Sequence, residues 1–157
     1  MIDLDTARQI LAALDREQVR YVLVGGVAIN FHGLARATKD IDLFVDVAPD
    51  NVERLKRALR SVFDDPALDE ITAEDLAGAY PTIRYGPPTG EFVIDLIGRL
   101  GEAFRYEDIE AVEVEVAGVR VRLATPRTLY RMKRDTLRLQ DRADAEMLRR
   151  KFHLEED

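Results

Sequence analysis

The sequence predicts an α+β (mixed α/β) fold, a mixed β-sheet with helices packed on one face and further helices closing the C-terminus. Three observations carry this. The first segment repeats apolar residues at helical spacing, the middle of the chain alternates in strand fashion, and two strand–turn–strand stretches precede a helix opened by proline. At 157 residues there is length for one domain and not for two full cores, with a core expected over about 21–125 and C-terminal helices over about 126–152.

Residues 4–17 place Leu4, Ala7, Ile10, Leu11 and Leu14 on one helical stripe. Tyr21-Val22-Leu23-Val24 is a continuous apolar run stopped by Gly25-Gly26, the mark of a short strand buried on both faces. A short helix is expected over 27–31, closing near Gly33. Residues 40–47 alternate, with Ile41, Leu43, Val45 and Val47 on one face and Asp40, Asp42, Phe44 and Asp46 on the other. Pro49 opens a helix whose buried stripe is Val52, Leu55, Leu59 and Val62, and Thr72 caps a short helix running to Ala79. Residues 82–85 and 91–97 flank Gly86-Pro87-Pro88-Thr89-Gly90 as a hairpin. Residues 112–116 and 119–123 flank Ala117-Gly118 as a second, whose strict alternation implies one wet face and one packed face. Thr125-Pro126 caps and opens a helix with Leu129, Met132 and Thr136 along its inner side, and a last helix spans about 141–151.

Composition narrows the function. With 46% apolar and 34% charged residues the chain is globular rather than disordered. No apolar run approaches the roughly 20 residues needed to cross a bilayer, and the acidic N-terminus does not read as a signal peptide, so no membrane partner is expected. Cysteine is absent, which removes disulfides, thiolate zinc sites and cysteine nucleophiles together and suits a cytoplasmic location. A net charge of −7 opposes general nucleic-acid binding but leaves room for an RNA acceptor on a local basic patch. Arginines do cluster over 126–151, where compensating acids make a solvated helix face the plainer reading.

The chemistry is concentrated in three carboxylates set in apolar strands: Asp40 and Asp42 on one, Asp95 on another. Residues two apart on a strand project from the same face, with Cα atoms roughly 6.5 Å apart. Such carboxylates suit Mg²⁺, which takes oxygen ligands and usually retains waters and substrate phosphates beside one or two acids. Two ions about 3.5–4 Å apart stabilise both oxygens of an in-line phosphoryl displacement; Mn²⁺ could take the same place. Without a cation, clustered carboxylates repel and one tends to protonate. Gly25-Gly26, where a buried strand turns into a helix, would let a phosphate approach the backbone, although a tight structural turn accounts for the pair equally well. Between the glycines and the acids, Arg36 and Lys39 offer positive charge and Thr38 a hydroxyl to bound phosphates; a solvated basic loop is the alternative. His32 receives no role.

Val24-Gly25-Gly26, a gap of thirteen residues, Asp40-Ile41-Asp42-Leu43 and the later Ile94-Asp95-Leu96 together resemble the DNA polymerase beta-like nucleotidyltransferase superfamily. The stretch from Gly25 to Leu43 is similar to its small bacterial branch, which includes abortive-infection (AbiEii-type) toxins of toxin–antitoxin systems. Leu129-Tyr130-Arg131-Met132-Lys133 and Gln140-Asp141-Arg142-Ala143-Asp144 extend the likeness, which covers residues 21–148. The resemblance implies transfer of a nucleoside monophosphate from an NTP to an acceptor: RNA such as a tRNA end, a protein side chain or a small molecule; a non-catalytic nucleotide-binding or partner-binding module on the same fold is the alternative. It implies that Gly25 and Gly26 hold phosphates, that Asp40, Asp42 and Asp95 bind metal, that Asp95 helps deprotonate the acceptor, and that Lys133 steadies the triphosphate. On the residues alone, a lysine covering the core with its stem accounts for Lys133 equally well. Two positions depart from the pattern: Gly26 stands where antitoxin-like minimal transferases often have Ser, and Gln140 replaces the usual lysine of a Lys-Asp pair, leaving the roles of Asp141 and Asp144 open. The small size suggests that an antitoxin partner or a homodimer supplies part of the acceptor surface.

Overall fold

The computed structural model describes residues 3–88, 90, 92–102 and 104–154. Helix α1 (Leu4–Arg16) starts where the Asp3 carboxylate accepts the Asp5 N–H, and it buries Ala7, Ile10, Leu11, Ala13 and Leu14. Gln18, in the left-handed region at φ 55°, ends it and turns the chain into β1 (Tyr21–Val24), which is buried throughout. Then follow α2 (Gly25–Phe31), β2 (Asp40–Val45), α3 (Pro49–Val62), α4 (Ala73–Ala77), β3 (Thr82–Tyr85) and β4 (Val93–Ile97). A short ribbon of β5 (Arg99–Leu100) and β6 (Phe104–Arg105) leads to the hairpin β7 (Ala111–Val116) and β8 (Val119–Ala124). Helices α5 (Pro126–Lys133) and α6 (Leu139–Phe152) close the fold.

Six strands form one mixed sheet in the order β3-β4-β2-β1-β8-β7. The parallel pairings are β2 with β4 and β1 with β8; the others are antiparallel. This is the mixed α/β architecture that the sequence predicts. The β2–β4 register has a direct consequence for chemistry: Asp42 stands opposite Asp95, so both side chains leave the same face of neighbouring strands.

Several boundaries differ from expectation. Helix α2 begins at Gly25 rather than residue 27, α4 stops at Ala77, and α6 starts at Leu139. Strand β2 ends at Val45 because Asp46 turns away to pair with Arg20 (2.7 Å) and to accept the Ala48 N–H. There the buried Asn51 side chain supplements the last backbone bond, from the Asp46 N–H to the Arg20 carbonyl, by accepting from the Arg20 N–H and donating to the carbonyls of Arg20 and Asp46. Phe44 is also fully buried, so only the first half of β2 has a wet face. Thr136 does not lie on α5, which ends at Lys133; its hydroxyl donates to the Asp141 carboxylate from the following turn. Of the first hairpin, Thr89 and Glu91 lie outside the described residues, and its second strand begins at Val93.

Candidate active site

The β2 acids emerge beside the β1–α2 turn. Gly25 has φ +74°, and a Cβ there would overlap the Asp42 carboxylate. Only glycine lets this side chain lie across the turn. Gly26 is likewise confined, since a Cβ would stand 2.9 Å from Thr38 Cβ. The register then runs a single row across three strands, from Arg84 on β3 to Asp95 on β4 to Asp42 on β2.

Asp42 and Asp95 lie within hydrogen-bonding reach of each other. Burial, followed by the charge of Asp95, their shared hydrogen bond and the charge of Asp40, pushes the Asp42 carboxyl up to about 7; Lys133 opposes this. Arg84 reaches Asp40 at 3.5 Å and Asp95 at 3.6 Å. Among the described residues, no group of three or more His, Asp or Glu side chains is gathered closely enough to hold a metal ion. The arrangement is a half-buried acid pair, with Arg84 facing both Asp40 and Asp95.

These side chains line a cavity of about 530 Å³, which Gly26, Thr38, Lys39, Lys133, Arg138 and Asp141 also border. Gly25 is behind its wall, against Asp42. Lys39 is exposed and has no ion-pair partner among the described residues. The other polar groups expected to meet phosphate are engaged by protein. The Thr38 hydroxyl donates to the Asp40 carbonyl and accepts the Asp40 N–H, fixing the start of β2. Arg36 donates through Nε and Nη2 to Asp144 at 3.2 Å, while its own N–H donates to Asn30.

Asp144, left without a role by the sequence, is the hub joining α5, α6 and the loop before β2. It is fully buried and accepts from Arg36, from Lys133 Nζ (2.8 Å) and from Gln140 (2.9 Å). Burial pushes its carboxyl up, but the hydrogen bonds from Arg36 and Lys133 outweigh it and hold the group below the usual carboxylate range. Lys133 also donates to Asp141 at 3.1 Å, so two acids fix its ammonium at the cavity wall. Gln140, one of the two departures from the pattern, completes this hub. Sequence reading missed Arg84 and Arg138. The 82–85 strand was visible, but which of its residues stands opposite Asp95 depends on the hairpin register, which composition does not encode.

Comparison with known proteins follows the same line. ANT(2'')-Ia has been solved as a crystal in complex with adenylyl-2''-tobramycin; the match has a TM-score of 0.56 at 14% identity, over 94% of this chain and 88% of that one. The solution structure of the same antibiotic-resistance factor matches with TM-score 0.55 at 17% identity, over 94% and 83%. TM1012 from Thermotoga maritima, solved as a candidate nucleotidyltransferase, matches with TM-score 0.53 at 17% identity, over 96% and 92%. These likenesses define a nucleotidyltransferase fold. No curated protein matches the sequence. The model of the nucleotidyl transferase AbiEii toxin family, a Type IV TA system family, matches residues 9–144, and the chain belongs to that family. It is a nucleotidyltransferase.

Proposed function

We propose that the protein transfers a nucleoside monophosphate from an NTP to an acceptor hydroxyl at the Asp40, Asp42 and Asp95 carboxylates, with divalent metal, Mg²⁺ or Mn²⁺. The observation that carries this is the cross-strand pairing of Asp42 with Asp95 at the wall of a polar cavity. The donor set fits such an ion. All its atoms are carboxylate oxygens, and an acid held near 7 by burial and like charge gains from a cation. When bound, the metal supplies charge stabilisation for the phosphoryl oxygens.

The chain's own residues account for the remaining steps. Asp95 takes the proton of the acceptor hydroxyl as its oxygen bonds to the α-phosphorus; the bond to the bridging oxygen breaks and pyrophosphate leaves. Lys39, exposed and without an ion-pair partner among the described residues, and Lys133, held by Asp141 and Asp144, face the triphosphate. Arg36 and Thr38 border the cavity while they fix Asp144 and the start of β2. Gly26 brings backbone to the cavity wall, and Gly25 makes room for Asp42.

The acceptor belongs to one of three classes: RNA such as tRNA, protein or a small molecule. Membership of a toxin family supports a role as the toxin of a toxin–antitoxin pair, with an antitoxin or a second copy as partner. The test is transfer of label from α-labelled NTPs, in Mg²⁺, to isolated tRNA, to proteins and to small-molecule fractions. Label reaching one class in wild type and none in Asp42→Asn establishes the reading. Equal labelling by both proteins refutes the carboxylate assignment.

A further inference from the structure

We propose that Arg84 is a built-in counterion of the acid site, one that competes with the divalent cation for Asp40 and Asp95. The inference rests on the carboxylate reading above.

Two of the arginines that line the site have opposite designs. Arg36 is largely buried and lies 3.2 Å from a fully buried carboxylate, as a permanent strut would. Arg84 sits on the edge strand β3, with its side chain 63% exposed, and spans two carboxylates on different strands at 3.5 and 3.6 Å. Those are ion-pair distances rather than close hydrogen bonds. A solvated pair of this kind costs little to break.

Its placement is nevertheless specific. The β3–β4 register sets Arg84 directly opposite Asp95, and a planar guanidinium can present separate nitrogens to two acids. Nη1 faces Asp95 and Nη2 faces Asp40. Arg84 also lines the cavity, so a triphosphate arriving there offers the guanidinium an alternative anion. Nucleotide that draws Arg84 away would free Asp40 and Asp95, making nucleotide and metal each raise the affinity of the other.

The experiment is Mn²⁺ binding followed by electron paramagnetic resonance, without nucleotide, for wild type, Arg84→Gln, Arg84→Lys and Asp42→Asn, with thermal unfolding of each in EDTA. Arg84→Gln is expected to bind Mn²⁺ on the order of fivefold more tightly, the size of one exposed charge removed at contact distance. Arg84→Lys, which keeps the charge without the fork, should fall between. In EDTA, Arg84→Gln should melt below wild type, and Mn²⁺ should raise its Tm by more than it raises that of wild type. Mn²⁺ binding that is lost in Asp42→Asn but unchanged or weaker in Arg84→Gln overturns the role of Arg84 and leaves the carboxylate reading standing. No Mn²⁺ binding by wild type or by Arg84→Gln overturns both.

Discussion

At the scale of single residues, Asp42 carries conflicting demands of stability and chemistry. Its carboxyl is pushed from 3.8 to about 7, so the native state binds more protons than the unfolded chain between those values. That contribution to stability is fully present below about pH 4 and is lost as pH rises through 7. In EDTA at pH 8, Asp42→Asn is therefore expected to be more stable than wild type, by about 1–3 kcal/mol, while transfer activity falls by orders of magnitude. Thermal unfolding across pH 4–8 checks the first half; the gap between the two proteins should widen with pH. Gly25→Ala makes the complementary prediction. Left-handed backbone costs a non-glycine residue roughly 1–2 kcal/mol, and the added methyl displaces the Asp42 carboxylate, so lower Tm and at least tenfold slower transfer should appear together. Asp42 and Asp95 were legible because each interrupts an apolar run. Arg84 was not, since an arginine on a short edge strand looks the same in any register.

At the scale of elements, α5, α6 and the loop before β2 are joined by one buried carboxylate. Asp144→Ala removes the common acceptor of Arg36, Lys133 and Gln140; it leaves the half-buried Arg36 without its carboxylate, while Lys133 keeps Asp141. Breaking a buried pair in this way costs about 3–5 kcal/mol, which in a domain of this size lowers Tm by roughly 10 °C. Calorimetry is the check, and a drop of only a degree or two would show that the hub is dispensable. Because Asp144 is held below its ordinary range, its contribution is present above about pH 4 and is lost on acidification, opposite in sign to that of Asp42. The helices themselves were legible from proline, caps and apolar spacing. Their meeting point was not: Asp144 sits on a strongly charged helix, and its partner Arg36 is 108 residues away. The end of α5 was missed for a similar reason, because Thr136 is compatible with helix spacing until its hydroxyl is seen to reach Asp141.

At the scale of the whole molecule, the sheet brings together what the chain separates. Pairing β2 with β4 in parallel sets Asp42 beside Asp95 across more than fifty residues of sequence, and that crossover cannot be read from strand patterns alone. A toxin role predicts that expression of the protein halts bacterial growth, that Asp42→Asn does not, and that the cognate antitoxin restores growth. Normal growth under wild-type expression would count against that role without touching the chemistry. The chemistry is tested most directly by thermal unfolding with each of the four NTPs, in Mg²⁺ and in EDTA, for wild type and Asp42→Asn. A ligand at about 100 times its Kd adds roughly 2.7 kcal/mol, a rise of roughly 5–10 °C here. The carboxylate site predicts such a rise for at least one NTP, present in Mg²⁺, lost in EDTA and absent from Asp42→Asn. A rise of equal size in EDTA, or in the variant, would contradict it.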